Sequence, residues 1–113
     1  MGKYLMPKLG PLMESEINEI PKVFERLLAN AEQFDELAKK LSNYDFKSIQ
    51  ILARGTSDNA AHFLKYLIET KLGLPVGLTS PSAVTIYQAN LKFENTLVVA
   101  ISQSGQSTDL LKF

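Results

Sequence analysis

Cysteine and tryptophan are missing from this sequence, histidine occurs once, and neither sign of charge is in excess. The missing cysteine excludes disulfide scaffolds, zinc–thiolate centres and cysteine nucleophiles together. Twelve basic residues balance twelve acidic ones with no basic cluster, which argues against nucleic acid or an anionic membrane surface as the main partner. No apolar run approaches the ~18 residues of a spanning helix, and the N-terminus lacks the charged-then-apolar pattern of a signal peptide. The expected compartment is the cytoplasm. Neither G-x-x-x-x-G-K-[ST] nor G-x-G-x-x-G is present, so a nucleotide is disfavoured as ligand. What remains, 45% hydrophobic and 21% charged residues over 113 positions, is the composition and length of one small globular domain.

Residues 1–12 hold Gly2, Gly10 and two prolines without periodicity and read as a leader arm. Residues 13–46 form an N-terminal helical segment. Phe24, Leu27, Leu28, Ala31, Phe34, Leu37, Ala38 and Leu41 recur at three- and four-residue steps, which predicts one amphipathic helix from Pro21 to Ser42. A proline suits the first turn of a helix and not its interior, so only a turn or two around Glu14–Ile20 is expected before it.

From residue 47 the pattern changes. Ser48–Ala53 reads as a buried strand, Asp58–Glu69 as a helix capped by Ser57 or Asp58 and stopped at Gly73, and Leu74–Leu78 as a second strand. Ser80-Pro81-Ser82 opens a further helix reaching Gln88. Thr96–Ile101 is the most strand-like run of the chain, and Thr108–Phe113 is the start of another helix. Apolar strands alternating with helices imply a parallel sheet with right-handed crossovers. Three strands and an unfinished covering helix point to an incomplete α/β layer, a piece of a larger domain.

In such sheets ligands bind at the carboxyl ends of the strands, where strand order reverses. With order 2-1-3, the loop Gly55-Thr56-Ser57 and the loop Ser102-Gln103-Ser104-Gly105-Gln106-Ser107 converge on one crevice. Both combine glycine with small hydroxyls, and both lead into a helix whose first N–H groups and dipole favour an anion. That arrangement holds a phosphate without lysine or arginine.

Ala53-Arg54-Gly55-Thr56-Ser57-Asp58 before a helix, and Ile101-Ser102-Gln103-Ser104-Gly105-Gln106-Ser107 after a strand, resemble the sugar isomerase (SIS) domain family. Within it the likeness is to the isomerase half of glucosamine-6-phosphate synthases and to their glutaminase-lacking relatives, deaminases included. Met13–Pro21 resembles the segment that leads into those domains. The resemblance implies residues 47–113 as the first part of a SIS domain, with a doubly wound (flavodoxin-like) α/β fold after an N-terminal helix. It implies that Ser102, Gln103, Ser104 and Ser107 grip a sugar phosphate, with Gly105 turning the loop, and that Ser57, beside Thr56, hydrogen-bonds the sugar. Serine stands at 107 where the family often has threonine, and Gln106 where it often has glutamate. Fructose 6-phosphate or glucosamine 6-phosphate is the implied ligand, with no metal and no organic cofactor. The implied parent isomerises, aminates or deaminates it, using a base from outside these residues. A phosphosugar-sensing regulator and an inert fragment are the alternatives. A homodimer or other self-association is expected from the exposed sheet edge.

Other polar residues have plainer readings. His62 falls on the polar side of its helix with Lys65 and Glu69, opposite Phe63, Leu64, Leu67 and Ile68, and reads as a surface or interface histidine. Asp58 and Asp109 stand in first helical turns, where an acid stabilises the dipole by about 0.3–1 kcal/mol. Tyr66, Tyr87 and Phe93 read as packing residues, and Glu94 as a loop residue with nothing placed beside it. No catalytic residue is expected.

Overall fold

The computed structural model describes residues 10–113, the side chain of Asp109 excepted. Most of the expected leader arm therefore lies outside the described residues. Two compact units divide between Tyr44 and Asp45.

Among the described residues the first unit is two helices, α1 (Pro11–Ala29) and α2 (Ala31–Leu41). This corrects the single helix expected from Pro21 to Ser42. Gly10 takes the left-handed conformation at the N-cap, φ 81°, and Pro11 follows inside the first turn, where its missing N–H costs nothing. The helix then runs through Pro21. An internal proline removes one N–H bond to the carbonyl four residues back, here that of Ile17, a residue exposed to solvent. The break falls at Asn30 instead. Its side-chain Nδ2 donates to the Arg26 carbonyl at 2.8 Å, and its backbone N–H reaches the Arg26 and Leu27 carbonyls. Asparagine thus closes the last turn, as it does at many helix C-termini.

The second unit holds three parallel strands, β1 (Ser48–Ala53), β2 (Val76–Thr79) and β3 (Thr96–Ile101), in the order β2-β1-β3. β1 and β3 keep the predicted bounds. β2 begins two residues late because Pro75 has no N–H to give; its carbonyl nevertheless accepts the Ile49 N–H at 3.0 Å.

Helix α3 (Ser57–Leu72) crosses from β1 to β2, starting at Ser57 with Thr56 at the N-cap and no side-chain capping bond. The expected cap by Ser57 or Asp58 is thereby corrected: backbone bonds from Asp58 and Asn59 to the Gly55 and Thr56 carbonyls close the first turn instead. Helix α4 is only Ser82–Thr85, with Pro81 at the cap. It ends well before Gln88 because Gln88 takes a positive φ of 54° and the Ala89 N–H turns back to the Ala83 carbonyl. Helix α5 is Thr108–Leu111.

Alternate residues of β1 and β3 meet α3. Ile49, Ile51, Ala53 and Val76 pack with Ala61 and Ile68 into one apolar cluster, with Leu64, Leu97 and Val99 partly buried around it. Phe63, expected to face inward, is 67% exposed, as are Tyr66 and Tyr87 at 70% and 78%. They do not pack; Phe93 does, its ring 5.7 Å from that of Phe113. On the opposite face Leu52 is buried, whereas Val98 and Ala100 are open.

The two edges of the sheet differ. At the β2 edge, Lys65 Nζ donates to the Val76 carbonyl at 2.8 Å and the Val76 N–H donates to Glu69 Oε1 at 3.3 Å. Lys65 and Glu69 are also paired to each other. At the β3 edge no such side chain intervenes among the described residues. No helix among them is long and apolar enough to cross a membrane.

Candidate functional site

Parallel strands end together, so the loops after β1 and β3, neighbours in the sheet, open on the same rim. Between them lies a crevice of about 210 Å³. From the β1 side it is lined by Arg54, Gly55, Thr56 and Ser57, and from the β3 side by Ser102, Gln103, Ser104 and Ser107. Six of the seven expected site residues are thus brought together. The seventh, Gly105, does not line the crevice but bends its loop, with φ 65°.

That bend has a chemical effect. It brings the Gly105 N–H to Ser102 Oγ at 3.0 Å and the Gln106 N–H to Ser104 Oγ at 3.2 Å. A hydroxyl has one proton and two lone pairs. With a lone pair of each serine oxygen engaged by a backbone donor, the proton remains to be given to something else. Ser107, at the N-cap of α5, makes no side-chain capping bond.

The helices contribute unequally. α3 is 16 residues long, enough for its N-terminal N–H groups and dipole to favour an anion. α5 is described over Thr108–Leu111, and on this side hydroxyls and backbone of the loop line the crevice. Among the described side chains, no carboxylate and no imidazole lines this crevice. His62 is 61% exposed on α3, and its Nδ1 lies 2.8 Å from the Asp58 carbonyl. No cluster of three or more histidine or acidic side chains suited to a metal occurs among the described residues.

Sequence reasoning missed a second, larger crevice of about 540 Å³ on the other side of the β1 loop. Arg54, Gly55 and Asp58 form one wall; Thr79, the last residue of β2, with Ser80 and Ser82 after it, forms the other. Ser80-Pro81-Ser82 had the look of a helix cap alone, although it occupies the same strand-end position as the two loops that were singled out. The N-cap of α4 is Pro81, which makes no side-chain capping bond.

A family model described as the SIS domain matches residues 44–113. The chain is 36% identical over 104 residues to a glutamine–fructose-6-phosphate aminotransferase (isomerizing) of Chlamydia caviae and 38% identical over 105 residues to that of Caulobacter vibrioides. In each case the alignment covers 88% of this chain and 17% of the relative. Among solved structures, a presumed phosphosugar isomerase from Silicibacter pomeroyi superposes with a TM-score of 0.79 at 39% identity, over 88% of this chain and 31% of that one. The chain therefore spans about a sixth of the length of these curated relatives.

Proposed function

We propose, because this chain belongs to the SIS domain family, that it supplies the phosphate-binding part of a protein acting on fructose 6-phosphate or glucosamine 6-phosphate. The observation that carries this reading is the pair of serine hydroxyls, Ser102 and Ser104, whose oxygens accept backbone N–H groups in a crevice shared with Ser57. Their remaining protons, with those of Ser107 and the Gln103 amide, are donors for phosphate oxygens. Hydrogen bonds to a charged acceptor are worth about 1.5–3 kcal/mol each. Gly105 keeps the loop bent, and Ser57, with Thr56 beside it, hydrogen-bonds the sugar. The similarity to glutamine–fructose-6-phosphate aminotransferases supports an amino-sugar phosphate, and the whole protein would isomerise, aminate or deaminate it.

Moving a proton between C1 and C2 of such a sugar needs a base beside it. Arg54, serine, threonine and glutamine are not bases at neutral pH, and they make up the polar lining of the crevice. By likeness to the family, the base and the ring-opening group would come from elsewhere in the whole protein, with these residues contributing binding. We place the protein in the cytoplasm and read it as self-associating.

Thermal unfolding titrated with fructose 6-phosphate and glucosamine 6-phosphate tests the reading. A ligand at a hundred times its dissociation constant raises stability by about 2.7 kcal/mol, and Ser104→Ala should abolish most of that gain. A cooperative transition indifferent to both sugars sinks the proposal for this chain.

A further inference from the structure

The sequence pattern predicts a phosphate held without lysine or arginine; the fold adds a cation. Arg54 lines the crevice between the β1 and β3 loops, and among the described side chains it is the only charged one there. The larger crevice beside it is lined by Arg54 together with Asp58. Among the described side chains, the smaller crevice therefore carries positive charge alone and the larger carries both signs. Opposite charges placed together offset each other's field, so of the two crevices the smaller draws an anion.

The backbone of Arg54 is held on both sides. It is the first residue beyond β1, the central strand of the sheet, and Ala53 before it is buried. After it Gly55 takes a φ of 63°, and the Asp58 N–H closes a turn on the Gly55 carbonyl at 3.1 Å. Arg54 itself is exposed. Its guanidinium stays charged at any working pH and presents five donors in one plane, enough to meet two phosphate oxygens side by side while keeping other contacts. The hydroxyls of Ser102 and Ser104 and the Gln103 amide are neutral donors. They fit the shape of a phosphate and leave its charge, about −1.5 to −2 near neutral pH, unmatched.

We propose that Arg54 is a phosphate-binding residue, selecting for charge in a site whose hydroxyls select for shape. The inference rests on the phosphosugar reading above and adds to it how the site tells a phosphorylated sugar from a free one.

The attraction of an exposed cation is screened by salt, and the hydrogen bonds of neutral donors are affected far less. Calorimetric titration of the full chain with inorganic phosphate and with fructose 6-phosphate separates the two contributions. The titrations are run at about 0.1 M and about 1 M salt, between which the screening length falls from about 10 to about 3 Å. Wild type should bind both probes less tightly at the higher salt. Arg54→Gln should weaken both by the same factor, about tenfold at the lower salt, and lose most of the salt dependence. Arg54→Lys keeps the charge and should restore the salt dependence with part of the affinity. Ser104→Ala should weaken binding and leave the salt dependence of what remains. If Arg54→Gln fails to fold, the wild-type salt series and Arg54→Lys carry the comparison. Wild-type binding indifferent to salt, or an Arg54→Gln chain with wild-type affinity, overturns the inference and leaves the phosphate reading standing. A wild-type chain that binds neither probe overturns both.

Discussion

At the scale of single residues, the site depends on a glycine as much as on its hydroxyls. Gly105 has a φ of 65°, a region that costs an L-residue roughly 1–2 kcal/mol. A Cβ there would meet nothing within 4 Å, so the cost is conformational and not steric. Gly105→Ala should therefore lower stability by about 1–2 kcal/mol in a denaturant titration. It should weaken phosphosugar binding further if the loop relaxes, since the bond from its N–H to Ser102 would be lost. Unchanged binding would mean that the bend does not set the serine protons. The Ser-Gln-Ser-Gly motif made this loop legible in the sequence. The hydrogen bond from Thr79 to Gln50 was not, because the two lie 29 residues apart in sequence and are adjacent only once β1 and β2 pair.

At the scale of elements, Lys65 and Glu69 show how a correct helical pattern can still mislead. Periodicity put them with His62 on the solvent side of α3. His62 is indeed exposed, but the other two turn to the β2 edge, and their side chains are only about a third exposed. The hydrogen bond from Lys65, reinforced by that from the Val76 N–H, holds the Glu69 carboxyl below the usual carboxylate range. A depressed carboxyl contributes stability that is present above its unfolded pKa and lost as pH falls through its folded one. Glu69→Gln should thus lower the unfolding midpoint near neutral pH, with the gap from wild type closing in acid as Glu69 itself is protonated. A gap independent of pH would show that the carboxylate charge is irrelevant to the clamp. Helix ends failed for a related reason: caps expected from Ser57, Asp58 and Ser80 were replaced by backbone bonds and by Pro81, which residue type alone does not reveal.

At the scale of the whole molecule, β1 and β3 were readable because short apolar, β-branched runs between polar loops have few alternatives in a parallel sheet, whereas the order β2-β1-β3 entered only as a condition. The division into α1 and α2 was not, because Pro21 is the stronger breaker in sequence and Asn30 the one that acts. The open face at Val98 and Ala100, beside the bare β3 edge, predicts concentration-dependent self-association. Sedimentation velocity across a hundredfold range of concentration should show species heavier than 12.6 kDa growing with loading; a constant monomer throughout would contradict it.

Because one side of the sheet is shut by Lys65 and Glu69 and the other is bare, growth of this fold has a direction. A complementing polypeptide, in a split-protein design for instance, would dock beyond β3 and not beyond β2. Its own strand-end loop would then arrive next to Ser102–Ser107, within reach of whatever is held by the serines.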